Sequence, residues 1–328
     1  MDHRERMIAC LQGEMIDRPP VSFWRHFPVD DQTPEGLAAA TMEFQKRYDF
    51  DFIKVTPASS FCIKDYGVLD EWRGSPEGTR DYTHRIINSP DDWKKLTPLH
   101  PNKGYLADQV RCLRYINDLN TDRIPVIQTI FSPLAQAKNL VGQDKLLSHL
   151  RMYPDAVLDA LAIMAKSTMD FIEEIKTTGI DGIFFAVQFG QSQLLSPAEF
   201  DQFEQPFDLQ VLSTAQDLWM NLVHLHGENI YFNKVADWQV HIINWHDRHT
   251  PPDLGSAAAL FPGAVCGGVR RWETMVLGTP ELVTDEAIDA LRSTAGRRTI
   301  LGSGCVLPVL TPTANILAAR QSVELFSK

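Results

Sequence analysis

Short apolar runs rich in β-branched and aromatic residues recur along the chain, and most are separated by stretches with a helical repeat. Eight of them read as strands: "PVSFWRH" (20–26), "DFIKVTP" (51–57), "PVIQTIF" (125–131), "GIFFAVQ" (182–188), "LVHLHG" (222–227), "HIINWHD" (241–247), "AVCGGV" (264–269) and "TILGSGC" (299–305). Between them, residues 155–178 place Val157, Leu161, Met164, Ile172 and Ile175 on one stripe, and Gly179 follows as a stop signal. Ser196-Pro197-Ala198-Glu199 is a capping box with proline at the first helical position. Thr33-Pro34, Thr279-Pro280 and Thr311-Pro312 repeat the cap-then-proline start. Strand–helix alternation implies parallel strands, and eight such units imply an α/β fold of the (β/α)8 TIM-barrel type. An open doubly wound sheet is the alternative. It usually carries a glycine-rich first turn, and no G-x-G-x-x-G follows any of the runs.

The barrel is expected to occupy residues 1–328 as one domain, with one irregularity. The connection between the second and third strands, 58–124, is too long to be structureless. Turn signals at Gly74-Ser75-Pro76 and Glu77-Gly78 predict a small hairpin followed by a helix, an insertion near the barrel mouth placed to act as a lid. Residues 91–95, "DDWKK", read as a solvated helix start.

Composition narrows the setting. Hydrophobic residues make up 44% of the 328, enough for a large core. A net charge of −11 argues against nucleic acid as a bulk partner, although local cations can still hold a small anion. No apolar run is long enough to span a membrane, and "MDHRERMIACLQGEMIDRPP" has no apolar core of a secretory signal. Five cysteines, at 10, 62, 112, 266 and 305, form no close pairs and are odd in number, which favours reduced thiols and a cytoplasmic location.

In such barrels chemistry sits at the C-terminal ends of the strands. Those ends carry Arg25 and His26; Lys54 and Thr56; Thr129 and Ser132; Gln188; His224, His226 and Glu228; Asn244, His246 and Asp247; Arg270; and Cys305. His224 and His226 lie two apart, so a strand turns both imidazoles to one face. With Cys305 on another strand, and a carboxylate near, they form a ligand set that suits zinc with an open fourth position. Paired histidines on a strand also serve packing. Cys10, Cys62, Cys112 and Cys266 read as small buried hydrophobes, His241 as structural, and Trp24 and Trp245 as packing residues. Arg25 and Lys54 fit either a structural ion pair or a substrate carboxylate or phosphate.

These residues together resemble the uroporphyrinogen decarboxylase superfamily. "LQGEMIDRPPVSFWR" is similar to the family opening, in which a "GE…DRPPV" phrase leads the first strand to an arginine. "DFDFIKVTP", "IFSPLAQAKNLVG", "LLSPAEFDQFEQPF" and "GTPELVTDEAIDALR" match family segments in the same order. The resemblance covers nearly the whole chain and implies a distorted (β/α)8 barrel, with a homodimer as the common assembly. Decarboxylases of the family are cofactor-free and hold their substrate with arginines, an aspartate, a tyrosine, a serine and a histidine. Here the second arginine falls at Val29, the tyrosine near Asn139 and the late histidine at Cys305.

The other branch contains zinc methyltransferases, whose H-x-C on the fifth strand and distant cysteine on the eighth map to His224, His226 and Cys305. The middle ligand is histidine instead of cysteine, which makes the site one charge more positive and favours an oxygen or a methyl-bearing substrate over a thiol. By analogy with related methionine synthases the fourth ligand falls at Asp247, with His246 as competitor. The resemblance thus implies one Zn2+ per chain, a corrinoid supplied by a partner protein, and a small methylated substrate or thiol positioned by Arg25, Lys54 and Gln188. Glu228 and Asn244 complete the candidate catalytic set. The alternative is a metal-free decarboxylase in which Arg25 and Lys54 hold carboxylates and His224 or His226 is the general acid. A binding protein on a catalytically retired barrel is a third reading.

Overall fold

The computed structural model describes residues 1–327. Its strands, in chain order, are β1 (Ile53–Val55), β2 (Leu69–Glu71), β3 (Asp81–His84), β4 (Val126–Phe131), β5 (Gly182–Val187), β6 (Leu222–Leu225), β7 (Ile242–Trp245), β8 (Ala264–Val269) and β9 (Thr299–Ser303). Seven of them form one parallel sheet in the order β1-β4-β5-β6-β7-β8-β9. Helices fill the crossovers, as parallel connections require. The sheet curls into a TIM-like barrel whose eighth position is taken by residues 20–26. This segment was expected to be a regular strand, but it makes only isolated parallel bridges, Val21 to Leu301 and Arg25 to Leu307. Its other side joins the β1 edge, where Asp51 N donates to Val21 O at 2.8 Å and Ser22 Oγ donates to Phe52 O at 2.9 Å. Pro19 and Pro20 have no N–H to give, so the segment enters the sheet without a full ladder. This is the distortion of the barrel.

The predicted caps form. Thr33 and Thr279 accept from the backbone N–H of Gly36 and Leu282, and the Ser196–Glu199 capping box closes. Thr311-Pro312 differs: Pro312 itself is the cap of Thr313–Phe326, and the Thr311 hydroxyl donates to Pro308 O at 2.8 Å. The stripe on the long helix Pro154–Lys176 is buried as the periodicity requires.

Residues 58–124 contain the expected elements. β2 and β3 pair as an antiparallel hairpin, and the helix Gly104–Leu119 follows. The hairpin loop folds onto the barrel mouth. Glu77 pairs with Arg271 and accepts from Trp272 Nε1 at 2.8 Å, and Val309 N donates to Pro76 O at 2.8 Å. Gly78 makes the approach achievable: its φ is +74°, and a Cβ there would sit 2.6 Å from that of His26. Among the described residues no helix is long and apolar enough to cross a membrane.

The opposite, N-terminal end of the barrel is fastened by one buried carboxylate. Asp51 is fully buried and accepts from Arg18 Nη1 at 2.7 Å, Arg6 Nη1 at 2.7 Å and Val21 N at 2.8 Å, with His3 Nδ1 3.0 Å away. It therefore ties the helix His3–Gln12, the 18–21 entry and the start of β1 together. Burial alone would raise its pKa, but contacts from His3, Arg18 and Arg6 outweigh burial and hold it at about 2. Because the folded value lies below the unfolded one, this stabilisation is present above about pH 4 and is lost as pH falls through about 2. Asp51→Asn leaves the guanidinium groups of Arg6 and Arg18 short of a counter-charge and is expected to cost ~3–5 kcal/mol in denaturant unfolding at neutral pH. A loss under ~1 kcal/mol would show that the network is not what closes the barrel floor.

Candidate metal centre

At the opposite mouth, β6 delivers His224 and, one step past its end, His226. Both face inward by the two-residue alternation of a strand. β7 does the same with Asn244 and His246, and the loop after β9 brings in Cys305. Glycine permits the last approach: a Cβ on Gly304 would lie 2.6 Å from the His246 Cα. One ligand atom from each of His224, His226, His246 and Cys305 lies within 4.8 Å of the others, and Cys305 Sγ is 4.0 Å from His226 Nδ1. A tetrahedral zinc shell has ligand–ligand edges of roughly 3.3–3.8 Å, so a contraction of about an ångström would complete it.

The polar surroundings set the protons. Asn244 Nδ2 donates to Cys266 O at 2.8 Å and Ser303 O at 3.0 Å, which leaves Asn244 Oδ1 to accept from His224 Nδ1 at 2.7 Å. The His224 Nε2 then carries the lone pair. That atom is buried and has no hydrogen-bond partner, as expected of a ligand atom waiting for a cation. Burial holds the His224 pKa below its usual value, against the neighbouring Cys305, which raises it. At Cys305 burial works toward the thiol, but the imidazoles of His224, His226 and His246 outweigh it and keep the group well below the ordinary thiol range. Three imidazoles and a thiolate fit zinc. The other four cysteines are buried, and burial pushes Cys10 and Cys62 up to about 12.

The cluster forms one wall of a cavity of about 460 Å3. Lys54 is on another wall, its Nζ 3.1 Å from Thr56 Oγ1 and 4.2 Å from the centroid of the Phe184 ring; burial lowers its pKa to about 7. Gln188 also lines the cavity and accepts from Lys138 Nζ at 2.5 Å.

Three expected site residues lie elsewhere. Asp247 follows Trp245 to the outer face of β7, where its carboxylate accepts from Gly268 N at 3.1 Å; His246 takes the fourth place instead. Arg25 likewise points outward with Phe23, its guanidinium 5.2 Å and 5.3 Å from the ring centroids of Phe27 and Phe44, while Trp24 and His26 face the cavity. Glu228 is exposed in the loop beyond Gly227, whose φ of +100° ends the strand direction. His246 and His26 were legible from the same alternation that singled out His224 and His226. Lys138, Tyr82, Glu77 and Arg271 reach the cavity from helix, hairpin and loop, where no strand pattern marks them.

A family model described as "Uroporphyrinogen decarboxylase (URO-D)" matches residues 2–325. The chain belongs to the URO-D family. Its relatives divide as the two readings of the sequence do. It is 20% identical over 335 residues to the methylcobamide:CoM methyltransferase MtaA of Methanosarcina barkeri (strain Fusaro), covering 96% of this chain and 95% of that one. It is 22% identical over 361 residues to a uroporphyrinogen decarboxylase of Synechococcus sp. (strain JA-2-3B'a(2-13)), covering 98% of each. Among solved structures, a methyltransferase from Methanosarcina mazei superposes over 100% of both chains with a TM-score of 0.87 at 17% identity. A B12-independent methionine synthase from Shewanella sp. W3-18-1 covers 90% of this chain and 86% of its own at a TM-score of 0.57 and 14% identity. At these identities the structural likeness establishes a URO-D-type fold.

Three substitutions test which side chains could hold a metal and which only support them. His246→Ala is expected to weaken zinc binding in a competition titration, whereas Asp247→Asn leaves it unchanged; the reverse order would restore Asp247 to the site. Asn244→Ala, which frees the His224 ring to rotate and change tautomer, should lower zinc affinity by roughly 10–100-fold.

Proposed function

We propose that this URO-D protein is a zinc-dependent methyltransferase that exchanges a methyl group between a small substrate and a corrinoid carried by a partner protein. The observation that carries this reading is the convergence of His224, His226, His246 and Cys305 around the unpartnered Nε2 of His224. When bound, zinc supplies Lewis acidity that polarises a substrate heteroatom and stabilises the charge left when the methyl group departs. Three imidazoles and one thiolate leave the site more electropositive than a thiolate-rich shell, which favours an oxygen or a methyl-bearing heteroatom over a thiol.

The chain's own residues supply the rest. Asn244 fixes the His224 ring and its tautomer through two backbone carbonyls. The hairpin loop, latched by Glu77 on Arg271 and Trp272, screens the cavity from water. Lys54 Nζ, held near neutral pKa by burial, keeps a proton within the cavity that the departing heteroatom can take. The decarboxylase alternative is weaker here. Arg25 is turned out of the cavity and Val29 is exposed, so two cations that would meet substrate carboxylates in that reaction are missing.

The test begins with metal. Protein purified without chelator should hold about one zinc per chain; Cys305→Ser should lose metal and methyl transfer, while Cys10→Ser and Cys112→Ser lose neither. Cobalt absorbance with a methylcobamide reports the transfer. Metal-independent decarboxylation of uroporphyrinogen, with no cobalt signal, would replace this reading by the lyase. As the Lys54 ammonium is the proton donor, kcat/KM with a methyl ether donor should fall as pH rises past about 7, and Lys54→Met should flatten that limb.

A further inference from the structure

Away from the metal centre, the protein buries two carboxyl groups side by side. They sit where a helix is interrupted. Pro206 has no N–H, and in an unbroken helix its ring would crowd the Gln202 carbonyl. The chain widens instead into a π turn, Phe200–Glu204, closed by the Gln205 N–H on Phe200 O, before the helix Gln205–Ser213 resumes. Glu204 and Asp208 are four residues apart and share one helix face. Both are fully buried. Glu204 Oε1 accepts from Ser132 Oγ at 2.9 Å, but Glu204 Oε2 and both oxygens of Asp208 have no donor among the described residues. Cations on the elements packed around them are turned to other partners: Lys138 to Gln188, Lys176 to Asp217 and Lys234 to Asp201. Among titratable groups each acid is acted on only by the other. Burial pushes both carboxyl groups up; at Asp208 the neighbouring Glu204 adds to burial, and at Glu204 the Ser132 and Asp208 hydrogen bonds oppose it. Two negative charges cannot be kept together in such a place.

We propose that Asp208 is a carboxylic acid at neutral pH, its O–H donating to Glu204 Oε2, and that this shared proton is a pH-sensitive tie between the helix Gln205–Ser213 and the barrel mouth. The proton belongs on Asp208 because Glu204 already accepts from Ser132, whereas Asp208 has no donor at all. The tie runs through Ser132. Its hydroxyl caps the helix Pro133–Val141 by accepting from Ala135 N at 3.2 Å, and its own N–H donates to Ala186 O at 3.1 Å. That helix carries Lys138 and Asn139 to the cavity wall. Loss of the proton leaves two buried negative charges, which drive Glu204 off Ser132 and loosen the start of the helix. The folded values lie above the unfolded ones, so the stabilisation is full below about pH 4 and is lost as pH rises through the folded values. None of this depends on what the metal centre does.

Isotope-edited infrared spectroscopy of the full chain reads the proton directly. At neutral pH the wild type should show the C=O stretch of a protonated carboxyl that moves when aspartate side chains are labelled with 13C and that Asp208→Asn lacks. The carboxamide keeps the shape and a donor for Glu204, so the variant should fold; if it does not, the labelled wild-type spectrum decides by itself. Hydrogen exchange of residues 132–139, corrected for intrinsic rates, reads the tie. Their opening constant should rise by up to roughly tenfold per pH unit through the neutral range, the slope of one proton, and Asp208→Asn should remove that slope. An aspartate spectrum with no protonated carboxyl at neutral pH, or a band that Asp208→Asn leaves in place, would overturn the proposal. So would exchange at 132–139 with no pH slope, or one that follows sodium, potassium or magnesium concentration instead, which would make the free oxygens a cation site.

Discussion

In a parallel barrel the side chains of each strand alternate between the interior and the helix layer, and that alternation decides which residues can meet at the mouth. It turns His224, His226, Asn244 and His246 into one space and sends Trp245 and Asp247 to the other side. The same rule puts Trp24 and His26 inside and leaves Arg25 among Phe27 and Phe44. The register of β6 on β7 pairs His224 with Asn244, which places the amide beside the imidazole it orients. The convergence of a ligand set that could hold a metal is therefore a consequence of strand phase and register, with Cys305 added by a loop that Gly304 allows to pass close to His246.

The two ends of the barrel solve opposite problems. At the floor, Asp51 is surrounded by donors and its charge is compensated several times over. At the mouth, His224 Nε2 and His26 Nδ1 are buried without a hydrogen-bond partner, and the ammonium groups of Lys54 and Lys138 have neutral acceptors but no counter-charge among the described residues. Polar groups left in this state cost stability, and a fold keeps them where a ligand completes them. The satisfied network at one end stabilises a site that is unsatisfied at the other.

Much of the architecture was legible in the sequence because it depends on local pattern. Strand runs, proline-started helices and the turn signals at Gly74 and Gly78 each act over a few residues. The departure at 20–26 arises from prolines whose effect depends on which neighbours need a donor. The site was half legible. His224, His226 and Cys305 come together in space, and Lys54 and Gln188 face the cavity. Asp247 and Arg25 were favoured on chemistry where strand phase favoured His246 and His26. Lys138, Tyr82 and Arg271 arrive from outside the strands, so their convergence is a property of the tertiary fold alone.

X-ray absorption at the zinc edge of the metal-loaded protein tests the central claim most directly, because it counts the ligands that strand phase selects. The account predicts one sulfur at ~2.3 Å and imidazole nitrogens at ~2.0–2.1 Å, with three imidazoles in the absence of substrate. A shell without sulfur, or one in which a carboxylate oxygen replaces an imidazole, would contradict it.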